Sequence, residues 1–223
     1  MQNDKAKIKK EFKKQCGECC GGNKEELHKS EQAHLHSLGI SEAKGDLAAM
    51  ARDYDNLGLV YLNLHEHDKA EQMYNKALDI NRKLDSRERI ARNYAGLGSL
   101  FLDQGQYDKA EDMFLSAIKI YKESDDEYEL QAMYFNLGVT YKIKREFNKA
   151  EESLKKSLDI NERIERPDRI FIEAVGYLEL GKIYGERSDK EKEREYLQKA
   201  VELFKSIGAT NVAERVRGRI DKL

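Results

Sequence analysis

The residues best suited to chemistry in this 223-residue chain gather near its start. Cys16-Gly17-Glu18-Cys19-Cys20 sets three thiols close together, and His28, His34 and His36 follow. Thiolate sulfur and imidazole nitrogen are the soft ligands that zinc collects into a tetrahedron, so Cys16, Cys19, Cys20 and His28 form a candidate metal set. No second C-x-x-C completes it, and His34 and His36, two apart on a helix, point in different directions. A loop of reduced thiols is the other reading, and both stay open. His65 and His67 fall at a turn with no third ligand near in sequence, which marks them as surface residues. Catalytic spacings are absent: the chain holds no G-x-x-x-x-G-K-[ST], no H-E-x-x-H and no G-x-S-x-G. Adjacent carboxylates such as Glu151-Glu152 are ordinary in a chain that is 37 % charged. The expectation is a protein that is not an enzyme and carries no cofactor.

What positions side chains here is a repeat. Asn56-Leu57-Gly58-Leu59-Val60-Tyr61 returns as Gly96-Leu97-Gly98-Ser99-Leu100-Phe101, Asn136-Leu137-Gly138-Val139-Thr140-Tyr141 and Glu179-Leu180-Gly181-Lys182-Ile183-Tyr184. The anchoring glycines are 40, 40 and 43 residues apart, a self-similarity that marks solenoids. An aromatic stands four before each glycine (Tyr54, Tyr94, Tyr134, Tyr177) and another three after it (Tyr61, Phe101, Tyr141, Tyr184). Further on come Ala70, Ala110 and Ala150, then Tyr74, Phe114, Leu154 and Leu197, then the small Ala77, Ala117, Ser157 and Ala200. Offsets of three, four and seven put these residues on single helical faces, two amphipathic helices to a copy. Glycine inside a helix costs about 1 kcal/mol relative to alanine. Four glycines at one offset therefore imply a neighbouring helix too close for a side chain, with a bulky residue filling the gap.

The pattern Tyr54-x-x-Leu57-Gly58-x-x-Tyr61 followed by Ala70, Tyr74 and Ala77 resembles the tetratricopeptide repeat, and the other copies match it over roughly residues 46 to 206. The resemblance implies an all-α, right-handed solenoid of antiparallel helix pairs whose first helices line a concave, peptide-binding groove. Glu193 replaces an expected alanine, and the period exceeds the usual repeat length by about six residues. Those six fall between Ile80 and Tyr94 and their equivalents, lengthening each helix by roughly 4 to 5 Å at about 1.5 Å per residue. Such long repeats are similar to those of kinesin light chains and Rap-type bacterial regulators.

Composition bounds the rest. Forty basic residues against forty-two acidic ones leave a net charge of −2, which gives no basic excess for a phosphate backbone, so nucleic acid is not an expected partner. With 39 % hydrophobic residues and a single proline the chain is too polar for a membrane span. No apolar run opens the sequence, and three cysteines make no paired disulfide framework, so a cytoplasmic protein is expected.

In chain order, residues 1–23 are a basic segment with the cysteine cluster, in which Ile8 and Phe12 stand amid lysines as a short amphipathic helix. Residues 24–44 read as a lone second-type helix of a degenerate repeat, with Leu27, Ala33, Leu38 and Ile40 as its apolar positions. Four full repeats follow at 45–84, 85–124, 125–165 and 166–206. Asp46, Asp85-Ser86, Ser124-Asp125-Asp126 and Arg166-Pro167-Asp168 provide the start signals, Pro167 as a first-turn residue. Residues 207–223 form a capping helix with Val212, Val216 and Ile220 inward and Arg215, Arg217, Arg219 and Lys222 on its other faces.

By the same resemblance, the groove face of each first helix carries Arg52, Asp55, Asn56, Leu59, Leu62 and Asn63, then Arg92, Ser99, Leu102 and Asp103. The third copy gives Phe135, Asn136, Val139, Lys142 and Ile143, and the fourth Glu179, Lys182 and Glu186. Arginine offers a fixed fork of donors to carboxylates, and asparagine amides hold a peptide backbone by donor and acceptor. Such a groove suits a partner peptide or helix mixing acidic and apolar residues. Arg52 and Arg92 pairing with neighbours such as Asp55 is the plainer reading, and the two stand side by side. The chaperone-type carboxylate clamp is not evident, because Asp55 and Leu59 stand where lysine and asparagine would be wanted. The function expected is a non-enzymatic interaction scaffold. The alternative is a regulatory module whose pitch changes on ligand binding, and self-association through the N-terminal face is a further expectation.

Overall fold

The computed structural model describes residues 24–223. The basic segment and Cys16, Cys19 and Cys20 lie outside the described residues, so the cysteine half of the zinc set is not placed. Among the described residues there are ten α-helices and no strand: α1 (Lys24–Lys44), α2 (Leu47–Asn63), α3 (His67–Lys83), α4 (Arg87–Gln104), α5 (Tyr107–Glu123), α6 (Glu127–Ile143), α7 (Phe147–Arg163), α8 (Arg169–Glu186), α9 (Lys190–Ser206) and α10 (Thr210–Ile220). This is the all-α repeat architecture that the spacing predicts. Two compact units divide the chain, Met1–Leu100 and Phe101–Leu223.

In the first unit, the glycine rule has a direct steric cause. A Cβ on Gly58 of α2 would lie 2.7 Å from the Tyr74 ring of α3, and one on Gly96 of α4 would lie 2.5 Å from the same ring. Tyr74 is 3 % exposed, so its ring fills the gap that both glycines leave. The second unit repeats the device with leucine: Gly138 faces Leu154 at 2.8 Å and Gly181 faces Leu197 at 2.7 Å. For Gly58, Gly138 and Gly181 the residue that collides is the bulky one sixteen positions after the glycine.

Turns recur as well. His65, Gly105, Arg145 and Ser188, each seven residues past its anchoring glycine, take positive φ of 61°, 79°, 63° and 62°. Gly45, Asp85 and Asp125 do the same where one helix pair hands over to the next. One left-handed residue per short connection turns the chain back and makes the helices antiparallel. Asp46, Asp126 and Asp189 then cap α2, α6 and α9 by accepting from the amides of Ala49, Glu129 and Lys192.

The handover into α8 departs from this pattern. Ile164 is extended at φ −91° and ψ 124°, and Asp168 makes no side-chain cap bond. Its carboxylate is taken by Arg166 instead, at 2.5 and 2.8 Å. Pro167 lies before the helix, which begins at Arg169, and so is not the first-turn residue the sequence suggested. The 43-residue spacing falls on this junction.

Helix α1 docks on α2, but through polar atoms more than apolar ones. Ala33 and Ile40, expected inward, are exposed, while Leu38 is buried. Glu31 accepts from the Tyr61 hydroxyl at 2.8 Å, and Asp53, 5 % exposed, accepts from Ser37 at 2.8 Å and lies 3.3 Å from His34 Nδ1. The first of these contacts recurs in the second unit, where Tyr141 donates to Glu111 at 2.8 Å and Tyr184 to Glu151 at 2.7 Å.

At the far end α10 packs Val212, Ala213 and Val216 into a core with Leu197, Val201 and Phe204 of α9. Arg219, expected on an outer face, turns inward: its guanidinium holds Glu193 at 2.5 and 2.7 Å. Glu193, in the place of the expected alanine, is 4 % exposed. Gly185 makes the room, since a Cβ there would lie 2.5 Å from Glu193 and 2.6 Å from Arg219.

Candidate functional site

The first unit holds a pocket of ≈ 270 Å³ built by three helices. Helix α2 gives Ala51, Arg52, Asp55 and Asn56, α3 gives Asn81, and α4 gives Arg89, Arg92 and Asn93. Arg52 and Arg92, which the repeat spacing places at equivalent heights, do line one site. Its floor is a buried hydrogen-bond chain: Asn81 Nδ2 donates to Asn93 Oδ1 at 2.8 Å, and Asn93 Nδ2 donates to Asp55 Oδ1 at 2.6 Å. Asn81 and Asn93 are each 1 % exposed, and Asn81 Oδ1 has no hydrogen-bond donor. Burial pushes the Asp55 carboxyl up, against the opposing pull of the Asn93 hydrogen bond and the Arg92 charge.

The arginines above that floor are only lightly neutralised. Arg92 lies 3.4 Å from Glu88, a pair more than half exposed on both sides and so of little energetic weight. Arg89 donates to the Ala48 carbonyl at 3.2 Å. Among the described residues no acidic group is recorded within ion-pair distance of Arg52. Of the plainer sequence reading, in which Arg52 and Arg92 pair with acidic neighbours such as Asp55, the structure contains the Arg92–Glu88 pair and no Arg52–Asp55 pair. Arg89, Asn81 and Asn93 were missed by the offset rule. Arg89 lies in the first turn, within the stretch that lengthens this repeat, three positions before Arg92, and that i, i+3 spacing was the available signal.

The other predicted positions divide. Leu59 is 51 % exposed beside the pocket's helix, and Asn63 bonds back to the Leu59 carbonyl at 2.9 Å. Ser99 bonds back to Ala95 at 3.0 Å, and Leu102 is half-buried. In the second unit Lys142 and Lys182 are not available charges: both close on Glu179, which is 5 % exposed. Burial opposes ionisation of Glu179, yet the two ammonium groups outweigh it and hold the carboxyl down at about 2. Phe135 packs against the α9–α10 core, Asn136 and Val139 are half-buried, and Ile143 is exposed. His28 is exposed, with Nδ1 3.1 Å from Glu31.

A shallower cleft in the second unit runs along Gln106, Tyr107, Asp108 and Lys144. Its cation is already saturated: Lys144 is held by Asp108 at 2.8 Å, Glu111 at 2.5 Å and Glu146 at 3.1 Å. The arginine pocket is thus the better candidate for receiving a charged group. No helix among the described residues is long and apolar enough to cross a membrane.

The family model for the tetratricopeptide repeat matches residues 23–83, 46–123 and 129–206. No curated protein matches the chain. Among solved structures, BtubC (BKLC) from P. vanneervenii is similar at a TM-score of 0.67 and 20 % identity, covering 88 % of this chain and 90 % of that one. A Podosopora anserina structure of nearly identical, kinesin light chain TPR-like repeats is similar at 0.65 and 14 % identity, covering 90 % and 96 %. A Rap protein complexed with Competence and Sporulation Factor is similar at 0.65 and 18 % identity, covering 88 % of this chain and 58 % of that one. These identities speak to fold alone.

Proposed function

Because the chain belongs to the tetratricopeptide repeat family, we propose that it is a non-enzymatic interaction scaffold that holds a protein or peptide partner on its first-helix faces. The family fold is commonly one of protein–protein interaction, and the Rap relative was solved with a bound factor. The observation that carries the reading is the arginine pocket of the first unit, three guanidinium groups over a rigid buried floor with exposed Leu59 on the same helix. A rigid polar site next to an apolar contact selects a partner that mixes acidic and apolar residues. In the second unit the same faces offer Phe135, Asn136, Val139 and Ile143 as apolar and amide contacts, while Lys142 and Lys182 serve the fold through Glu179.

Affinity capture from the native cell tests this. The wild-type chain is expected to retain partners that the Arg52→Glu/Arg92→Glu variant loses while its thermal unfolding stays close to wild type. Both side chains are exposed, so the double change leaves packing intact. An identical set of partners for the two proteins would place binding elsewhere.

A further inference from the structure

We propose that an exposed face of α1, made of Lys29, Ala33, His36 and Ile40, is the seat of the chain's own residues 5–21, docked in cis as the first helix of an N-terminal pair. Helix α1 is in step with the later second helices: Glu31, Glu71, Glu111 and Glu151 recur every 40 residues, and so do Ile40, Ile80, Ile120 and Ile160. Each later second helix meets its own first helix along one face. Lys69 and Lys76 of α3 lie over the Tyr61 and Tyr54 rings of α2 at 5.1 Å, and Lys149 and Lys156 of α7 lie over Tyr141 and Tyr134 of α6. Forty residues before Lys69, Lys76 and Ile80 stand Lys29, His36 and Ile40. That face of α1 is bare: Ile40 is 44 % exposed where Ile80 is 9 % and Ile160 5 %, and Lys29, Ala33 and His36 are exposed with it. Helix α2 takes another face of α1, the one with Glu31, His34 and Ser37.

Pattern, turn and tether select the occupant. Ile8, Phe12, Cys16 and Cys19 are spaced by four, four and three, one apolar stripe on a helix, with cysteine serving as a small apolar residue. Phe12 stands four before the small Cys16, as Tyr54 stands four before Gly58. The left-handed residue of each short turn stands two before a second helix, His65 before His67, Arg145 before Phe147 and Ser188 before Lys190. Two before Lys24 is Gly22, the residue type for which that conformation carries no steric cost. An antiparallel return through Gly21-Gly22 brings Phe12 to Ala33 and Ile8 to His36. A segment joined so closely to its seat has an effective concentration on the order of millimolar, above that of a second copy or a partner in dilute solution, so the face fills in cis. The seat shares no residue with the arginine pocket, and what that pocket binds has no bearing on it.

Amide exchange and thiol alkylation of the full chain test the docking, both read by mass spectrometry with EDTA present so that no metal shields the thiols. In the wild type the amides of residues 5–20 and the thiols of Cys16 and Cys19 are expected to react about tenfold or more slowly than in Ile40→Asp, which sets a charge against the apolar stripe. Ile8→Asp/Phe12→Asp attacks the same contact from the other side and should speed exchange in α1 as well. Ile40 is exposed, so exchange across α3 stays at its wild-type rate and reports that the variant is folded. Fast exchange and alkylation in the wild type overturn the proposal, and so does protection that neither variant removes. Sedimentation across protein concentrations separates the sources of cover: protection at constant monomer mass supports docking in cis, whereas protection that arises only as the mass doubles assigns the face to a second copy and overturns it.

Discussion

Tyr74 shows how much of the architecture a single side chain sets. Its ring meets the bare backbone of Gly58 on its own repeat and of Gly96 on the next, so two helices approach α3 only because neither carries a Cβ there. Gly58→Ala gains about 1 kcal/mol of helix propensity but drives a methyl to 2.7 Å from a buried ring. Overpacking of that kind costs about 1–3 kcal/mol. The expected net result is a loss of up to about 2 kcal/mol by denaturant unfolding. Gly39→Ala is the control. Nothing lies within 4 Å of a Cβ there, so the same propensity gain stands alone and stability rises by up to about 1 kcal/mol. Equal effects at both glycines would remove the steric account. This steric need was legible, because glycine is a poor helix former and little besides a close neighbouring helix keeps it inside helices at a fixed period. The burial of Glu179 between Lys142 and Lys182 was not, since charge at a first-helix position reads the same whether it faces a partner or a neighbouring helix.

At the scale of elements, apolar periodicity located helices well and their polar docking poorly. Helix α1 was visible through Leu27 and Leu38, but the side chains that hold it to α2 are Glu31, His34 and Ser37, to which a hydrophobic count is blind. The junction before α8 was signalled by a spacing of 43 where 40 was the rule, although not in its form: Asp168 was read as a cap and spends its carboxylate on Arg166. The capping helix repeats the lesson with a testable consequence. Arg219 on α10 neutralises Glu193 on α9, and Glu193 stands where other copies have alanine. Arg219→Ala leaves a buried carboxylate alone. A fully buried pair broken this way loses ~3–5 kcal/mol. Arg219 is 43 % exposed, which brings the expected loss to about 2 kcal/mol, with the α10 amides exchanging before the rest of the second unit. Adding Glu193→Ala removes the stranded charge and recovers at least half of that loss. Equal destabilisation in the single and double variants would show that the pair does not hold the cap.

Over the whole molecule, what the sequence discloses follows from what the packing demands. Nearest-neighbour contacts repeat at a fixed period and print that period on the chain, whereas residues facing a partner answer to the partner and print nothing. The family was therefore readable, and the pocket through Arg52, Asp55, Asn56 and Arg92 but not through Asn81, Arg89 and Asn93. The same inventory of contacts sets the response of the entire fold to pH. Burial works against the charge of Glu179 and Glu151, but Lys142 and Lys182 for the first, and Lys155, Tyr184 and Arg187 for the second, hold both near about 2, against 4.5 for a free glutamate. A lowered folded value gives stability that is present above 4.5 and drains away as pH falls toward 2. Asp55, pushed up by burial, runs the other way, favouring the fold below its free value of 3.8 and losing that contribution as pH rises, a partial offset to two carboxylates. On the alkaline side burial and then Glu31 push Tyr61 up to about 12, and burial with Glu111 or Glu151 raises Tyr141 and Tyr184 as well. A raised value gives stability that is complete below the free value of 10 and lost as pH climbs through the folded one. The melting temperature should thus hold a plateau between about pH 5 and pH 9 and fall on both sides. Glu179→Gln should flatten the acid limb and Tyr141→Phe the alkaline one, each leaving the other limb unchanged. Thermal scans from acid to alkali measure all three proteins, and a wild-type melting temperature that drifts steadily across the neutral range would mean that these tyrosine–glutamate and lysine–glutamate contacts do not govern the fold.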